Sequence, residues 1–371
     1  MILTKIMIHR VRNLFESHIE LSQGVNLILG ANGSGKSSIL ESIHLLGYGR
    51  SFRSHLTRPL IQFGESSLVI SAEILSDPLD RETSYRFGYQ KSANAAAIIR
   101  LNQETVTFIE MVRLFPVQII HPESFEQIYA GASPRRKILD WGMFHVEPTF
   151  GALWSNYQKA LKQRNAALKH AVINMEITCW DDALVELGAQ LEALRRRWVP
   201  DFLIFLQEAI YHLLPEISPA LNLSYYPGWQ SEEGADLALT LGQALNLSFN
   251  RDKFLGSTQI GPHRADLIMT YDKLPLEKIL SRGQQKLIMM AFFMAQAKWL
   301  NATLGKKSLL LIDDVISELD NANLEKLLFF IANQQQQVII TAVDEKGLDF
   351  SDKIQDLRRF CIEKGKIERV C

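Results

Sequence analysis

The chain has 371 residues, 47% of them hydrophobic and 22% charged, with a formal net charge of −1. That length exceeds a usual single core, so two lobes are expected, and no apolar run approaches the roughly 18 residues that cross a bilayer. Met1-Ile2-Leu3-Thr4-Lys5 lacks a signal-peptide layout, the three cysteines (Cys179, Cys361 and Cys371) have no paired or metal-type spacing, and the nine histidines are expected to form no ligand cluster, which together point to the cytoplasm and against structural zinc.

In chain order, Ile2, Thr4, Ile6 and Ile8 alternate as a strand, and a second short strand follows the segment His9 to Phe15. Val25, Leu27 and Leu29 then lead into Gly30-Ala31-Asn32-Gly33-Ser34-Gly35-Lys36-Ser37, and an apolar-striped helix leaves it from Ser38 to Leu46. Strand, glycine turn and helix start form a phosphate loop. Glycines let backbone N–H groups converge on a β-phosphate at the helix N-terminus, Lys36 reaches the β- and γ-phosphates, and the Ser37 hydroxyl ligates magnesium. Residues 67–107 hold β-favouring runs, Leu68 to Leu75, Tyr85 to Tyr89 and Ala97 to Leu101, with turns at Asp77-Pro78 and Ser92-Ala93-Asn94. They predict an antiparallel side sheet.

From Pro122 to about Leu214 the periodicity becomes helical, with Leu153, Tyr157 and Leu161, then Leu184, Leu187, Leu191, Leu194 and Trp198, at spacings of three or four. These stripes predict a compact helical lobe of stretches only a few turns long, not a long coiled coil. The same region carries Arg135, Arg136, Lys137, Lys159, Lys162, Arg164 and Lys169 against Asp140 and Glu147, a basic patch open to a polyanion. Residues 215–260 are loosely patterned, with turn signals at Pro215, Pro227-Gly228 and Glu233-Gly234, and no chemistry is expected there.

A strand over Leu267 to Tyr271 precedes Leu280-Ser281-Arg282-Gly283-Gln284-Gln285-Lys286, which opens a long apolar helix through Leu300. A serine and a glycine at a helix start offer a hydroxyl and free N–H groups to an anion. Leu309 to Ile312 is a fully apolar strand ending in Asp313-Asp314, placed to hold magnesium and to orient water, and Ser317-Glu318-Leu319-Asp320 follows. These strings resemble the signature motif, the Walker B strand and the D-loop of the ATP-binding cassette superfamily. The last strand, Val338 to Thr341, ends where those ATPases place a switch histidine; here Ala342 stands there, and Thr341 is the nearest substitute as γ-phosphate sensor.

Arg12-Asn13, the phosphate loop, Gly49-Arg50-Ser51-Phe52-Arg53, Gly131 with Arg135-Arg136 and Leu139-Asp140, Lys162-Gln163-Arg164-Asn165, Gly261-Pro262-His263-Arg264 and the two later motifs resemble the RecF family from residue 1 to about 345. The resemblance implies an α/β P-loop NTPase of the ABC/SMC head type, with an antiparallel side sheet and a helical second lobe lacking a long coiled coil. Lobe I would comprise 1–120 and 301–371, and lobe II, carrying the signature motif, 121–300. It further implies an ATP- and Mg2+-dependent homodimer that binds single-stranded, gapped or junction DNA without sequence preference, acts with RecO and RecR to load RecA, and supports replication restart and SOS induction.

By the same resemblance, Lys36 and the 30–37 backbone cradle phosphates, Ser37 and Asp313 serve magnesium, and Asp314 orients the attacking water. Ser281, Arg282, Gly283 and Gln284 complete the partner subunit's site. Arg12 and Asn13 reach the chain's own ATP, and Gln118 falls in the Q-loop region. Asp314 stands where most cassette ATPases carry glutamate, one methylene longer, so slow turnover is expected. Arg50, Arg53, Arg135, Arg136 and Arg164 are the DNA-contact candidates. The alternatives are a transporter ATPase subunit, which would co-purify with a permease and ignore DNA, and a structural protein with a vestigial nucleotide site, indifferent to loss of Lys36.

Overall fold

The computed structural model describes residues 1–54, 56, 58–76, 84–170, 174–232, 234–314, 319–333, 336–345 and 356–370. The chain divides into two units, Met1–Ser124 with Gly305–Cys371, and Phe125–Leu304.

The first unit begins with β1 (Ile2–Val11), β2 (Leu14–Glu20), β3 (Val25–Leu29) and α1 (Lys36–Tyr48), then β4 (Ser67–Leu75), β5 (Ser84–Ser92), β6 (Ile98–Leu101), β7 (Glu104–Thr105), α2 (Phe108–Leu114) and β8 (Val117–Ile120). Next in the chain come α3 (Pro122–Gln127), α4 (Ala132–Val146), α5 (Phe150–His170), α6 (Met175–Thr178), α7 (Asp181–Leu213), β9 (Leu221–Tyr226), α8 (Leu237–Leu255), β10 (Asp266–Tyr271), β11 (Leu274–Pro275) and α9 (Arg282–Leu304). The chain returns to the first unit with β12 (Leu309–Asp313), α10 (Asn321–Asn333), β13 (Val338–Ala342), β14 (Leu357–Glu363) and β15 (Lys366–Val370).

Two six-stranded sheets build the first unit. One runs β2-β1-β4-β5-β6-β7 with antiparallel neighbours throughout; β4 alternates buried with half-buried residues, the pattern of a sheet with one covered face. The other runs β15-β14-β3-β13-β12-β8, parallel from β14 to β8. Its strands β12 and β13 are buried at every position, as a parallel sheet covered on both faces requires. Parallel strands present all their carboxyl ends at one edge, where such folds bind ligands. Here that edge gathers the ends of β3, β12 and β13. The phosphate loop follows β3, and α1 starts at Gly35, whose φ of 119° favours glycine, and stops at Gly49 (φ 68°), where a Cβ would collide with the Phe108 ring.

The second unit is helical with a three-stranded sheet, β11-β10-β9. Its helices are longer than their sequence stripes suggest: α5 has 21 residues and α7 has 33, about 50 Å at 1.5 Å per residue, with Pro200 inside. The stripe from Leu184 to Trp198 marks only the first half of α7; Phe202, Leu206, Ala209 and Ile210 carry its buried face onward. The stretch 215–260 is also structured, holding β9 and the 19-residue α8, which Asp236 caps through the N–H groups of Ala238 and Leu239. Its leucines are spread around the helix, Leu241 and Leu245 buried but Leu239 and Leu247 exposed, so no clean stripe shows. Among the described helices α9 alone is long and apolar enough to cross a membrane, but most of it is buried inside the fold, as in the core helix of a globular unit.

Candidate functional site

The carboxyl edge of the parallel sheet brings together residues far apart in sequence. Ser37 Oγ donates to Asp313 Oδ1 at 3.0 Å across 276 positions, and Thr341 Oγ1 donates to the same oxygen at 2.8 Å. The Asp314 N–H in turn donates to Thr341 Oγ1 at 3.0 Å, and Asp314 takes a left-handed φ of 53°, which turns the chain away from the strand. Burial raises the affinity of Asp313 for its proton, and the Thr341 and Ser37 hydroxyls and the nearby Arg53 act in the opposite direction. A carboxylate and a hydroxyl, both hard oxygen donors, are a fitting pair for Mg2+.

Lys36 Nζ, on a nearly buried side chain, donates to the loop carbonyls of Gly30 (2.7 Å) and Ala31 (3.3 Å). The ammonium thus sits inside the curl of 30–37, at the N-terminus of a 13-residue helix whose first N–H groups have no intrahelical partner. Asn13 spans the loop from behind: its Nδ2 donates to Gly33 O at 3.1 Å, and its Oδ1 accepts from Ser38 Oγ at 2.9 Å. On its other flank the Gly365 N–H donates to Ser34 O at 2.9 Å. The loop is therefore braced from two hairpins, at Gly33 and Ser38 by Asn13 and at Ser34 by Gly365.

Arg12 differs from its expected role. Its guanidinium forks onto the carboxylate of Glu41, with Nη2 donating to Oε1 at 2.7 Å and Nε to Oε2, and that hydrogen bond raises the Arg12 pKa further. Glu41, wholly buried on α1, also accepts from the Ser51 hydroxyl. Ser51 Oγ accepts from the N–H groups of Arg53 (2.9 Å) and Ser54 (3.0 Å), and His44 Nδ1 meets Arg50 O at 2.8 Å. Burial lowers the His44 pKa to about 4, so the ring is neutral and Nδ1–H is the donor. The Gly49 to Arg53 string is thus folded back on α1 by Glu41 and His44. Neither residue was singled out from sequence, although a lone carboxylate in the apolar run Ile39 to Leu46 signals a buried pair.

Gln118 does not join this group. It lies at the second position of β8, opposite Leu310 at the start of β12, is buried, and accepts from Ser308 Oγ at 2.9 Å. That is the amino end of the sheet; at the carboxyl end of β8 stands His121, whose ring lies on Phe52. Thr341, fully buried and bonded to Asp313, positions the carboxylate. Ala342, also buried, contributes its carbonyl to the Gly30 N–H at 3.2 Å. Of the D-loop string, Ser317 and Glu318 lie outside the described residues, as does the Asp77-Pro78 turn.

In the second unit, Ser281 and Gln284 form a reciprocal cap at the head of α9: Gln284 N donates to Ser281 Oγ at 3.3 Å and Ser281 N to Gln284 Oε1 at 3.0 Å. Ser281 and Arg282 are exposed, and Gly283 is half-buried. The capped start presents free N–H groups outward.

The basic residues divide sharply. Arg164 is fully buried and holds Asp181 (2.6 Å), Asp252 (2.7 Å) and Thr258 Oγ1 (2.8 Å), so it is a core ion pair and not a DNA contact. Arg135 forks onto Asp266 with two 2.8 Å bonds, and Arg136 donates to Ala265 O at 2.7 Å. Both guanidiniums are committed within the fold. Arg50, lying over the Tyr48 ring at 5.0 Å, and Arg53 are the exposed members of the set. The Gly261-Pro262-His263-Arg264 string is likewise structural: His263 bridges Tyr157 OH (2.7 Å) and Thr258 O (2.9 Å), and Arg195 donates to Pro262 O (2.7 Å).

A glycine loop at a helix N-terminus with a serine–aspartate pair beside it, at the carboxyl edge of a parallel sheet, is the arrangement of a P-loop nucleotide-binding domain of the ABC/SMC head class. The comparisons with known proteins agree: residues 2–363 match the model of the RecF/RecN/SMC N-terminal domain. The DNA replication and repair protein RecF of Proteus mirabilis is 36% identical over 375 residues, covering 99% of each chain. The chain belongs to the RecF family. A structure of the recombination mediator protein RecF with ATP, in the RecFOR pathway, superposes with a TM-score of 0.86 at 26% identity, over 100% of this chain and 98% of that one. The Smc head domain of Pyrococcus furiosus, at a TM-score of 0.60 and 15% identity over 100% and 96% of the two chains, shares the fold.

Proposed function

We propose that this protein is an ATP-dependent, DNA-binding recombination mediator that dimerises on binding ATP. The observation that carries the reading is the meeting of Ser37 with Asp313 next to Lys36, which supports a triphosphate site shared by two distant segments. In this reading Lys36 leaves its loop carbonyls for the β- and γ-phosphates, the α1 N-terminus stabilises their charge, and Asn13 keeps the loop in register. Ser37 and Asp313 would hold Mg2+, which when bound neutralises charge on the phosphate oxygens. Asp314 orients the attacking water. Its carboxylate is one methylene shorter than glutamate, so hydrolysis is slow and acts as a reset, not as the output. Ser281, Arg282, Gly283 and Gln284 close on the γ-phosphate held by the partner subunit, making ATP an interface ligand.

The family membership and the ATP-bound RecF relative of the RecFOR pathway support the rest of the reading. The dimer grips gapped or single-strand/double-strand junction DNA through phosphates, works in the cytoplasm with RecO and RecR to promote RecA loading, and serves repair, replication restart and SOS induction. DNA stimulates its weak ATPase. Among the exposed arginines Arg50 and Arg53 are the first to test as phosphate contacts.

Sedimentation of the chain with and without ATP and gapped DNA tests the reading. A dimer with ATP, strengthened by gapped DNA and lost in Lys36→Ala, is expected; a monomer under every condition would overturn it.

A further inference from the structure

We propose that His9, Glu16 and His18 form a binding site for a divalent transition-metal ion of the zinc class on the open face of the β1–β2 hairpin. The site goes beyond the nucleotide reading and does not depend on it. β1 and β2 pair antiparallel with His9 opposite Glu16 and Met7 opposite His18. Residues two apart on a strand share a face, so Glu16 and His18 project from the same side, and His9 joins them from across the ladder. The sequence hides this, because the ligands become neighbours only when the hairpin turns at Arg12 and Asn13.

The separations suit a metal. Glu16 Oε1 lies 3.1 Å from His18 Nε2 and 3.9 Å from His9 Nδ1, and the three ligand atoms all lie within 4.8 Å of one another. Tetrahedral zinc with bonds near 2.0–2.1 Å holds its ligand atoms about 3.3 Å apart. Two separations already bracket that value. The third, between the histidines, closes by small ring rotations on a face where neither ring is buried; the rings now meet edge-on with centroids 6.0 Å apart. Two imidazoles and a carboxylate leave one coordination position for water, the donor set of many zinc sites. The neighbouring ionic pair on this face, Lys5 with Glu20 at 3.9 Å, is self-satisfied and does not compete.

The simpler account of the cluster is a carboxylate that accepts a hydrogen bond from an imidazole N–H. The His18 hydrogen bond does hold Glu16 below its usual carboxylate range. A hydrogen bond uses a ring N–H, whereas a metal ion takes the lone pair of one ring nitrogen from each histidine, so ion binding competes with protons. A bound ion would lock β1 to β2 and stiffen the hairpin whose turn places Arg12 on Glu41 and Asn13 on the phosphate loop.

The test is a titration of metal-free full-length chain with Zn2+ alone, and with Co2+ as a spectroscopic probe, above pH 7.5. His18→Gln and Glu16→Gln should each weaken Zn2+ binding at this site by at least about tenfold and remove the histidine-ligated Co2+ spectrum. Zn2+ should raise the melting temperature of the wild type and not of His18→Gln. Because thiols also attract zinc, the comparison is made in a background with all three cysteines replaced, Cys179→Ser/Cys361→Ser/Cys371→Ser. Equal stoichiometry and affinity in wild type, His9→Gln and His18→Gln, or no binding in any of them, would overturn the proposal. These side chains are exposed enough that the metal-free variants should melt with the wild type, and His9→Gln gives an independent readout if one does not.

Discussion

Thr341 and Asp313, neighbours across the β12–β13 ladder, share a hydrogen bond of 2.8 Å that ends on the same carboxylate oxygen as the Ser37 hydroxyl. Thr341 also accepts the Asp314 N–H, so one hydroxyl fixes two consecutive acidic residues. Replacing it with valine keeps the shape and removes both bonds. An unsatisfied buried polar group costs about 1–3 kcal/mol. ATP hydrolysis by Thr341→Val should therefore fall at least about tenfold, with a raised Mg2+ requirement and nearly unchanged ATP affinity, and Thr341→Ser should restore it. Steady-state ATPase assays across Mg2+ concentrations decide; full activity in Thr341→Val would assign no such role.

Glu41 is the buried joint of the first unit, holding Arg12 on one side and Ser51 on the other. Glu41→Gln keeps the volume but strands a half-buried guanidinium. Breaking a buried pair from one side costs roughly 3–5 kcal/mol, and the partial exposure of Arg12 places this one at the lower end. Urea unfolding of Glu41→Gln, Arg12→Met and the double variant should show strong coupling, the double costing much less than the sum. Additive losses would mean that the two residues act separately.

The strings of the proposed nucleotide site could be read from the sequence because each is contiguous: the loop 30–37, the strand ending in Asp313, and the helix opening at Ser281 proposed to serve the partner subunit. What joins the strings could not. Glu41, Thr341 as a brace, and the His9–Glu16–His18 cluster are pairings across elements, fixed by strand register and helix facing. Charge was the least readable property. Arg135, Arg136 and Arg164 look alike in sequence to Arg50 and Arg53, yet their carboxylate or carbonyl partners arrive from β10, the segment before it, or α8. The helix α8 itself went unread because its leucines point in every direction.

That division of the arginines is measurable. Arg164→Ala would leave the fully buried Asp252 without its cation, at a cost of about 3–5 kcal/mol. Arg50→Ala removes an exposed side chain and should stay within about 0.5 kcal/mol of wild type. If Arg50 contacts a DNA phosphate, its loss should weaken binding evenly across sequences and reduce the slope of log affinity against log salt by about one. Unfolding curves and salt-dependent DNA titrations separate the two residues.

Acid should loosen both units through their buried histidines. Burial lowers His44 and His263 to about 4 each, against about 6.5 for an exposed imidazole. The unfolded chain therefore takes up protons below about pH 6.5 that the folded chain refuses until pH 4, and stability is lost as pH falls through that window. Each histidine contributes on the order of 3 kcal/mol to that loss by linkage. Urea midpoints between pH 7.5 and 4.5 should fall steeply in the wild type and less in His44→Gln, where the contribution of His44 is gone and that of His121, also lowered by burial, remains. Parallel pH profiles for the two proteins would remove His44 as the source.

The strongest consequence of the proposed dimer is that its two motifs should complement between chains. Lys36→Ala removes the phosphate ligand but leaves the capped start of α9 intact. Ser281→Arg keeps Lys36 but replaces the capping hydroxyl with a bulky cation, so it should bind ATP and fail to dimerise. Either variant alone should be inactive. In a symmetric dimer with shared sites, mixing them pairs the intact loop of one chain with the intact signature of the other in one of the two sites. Because neither variant dimerises alone, every dimer in an equal mixture is a hybrid with one whole site of two, so the mixture should recover up to about half of the wild-type ATPase rate if the two sites turn over independently. Sites completed within a single chain would give none, because neither variant then owns a whole site.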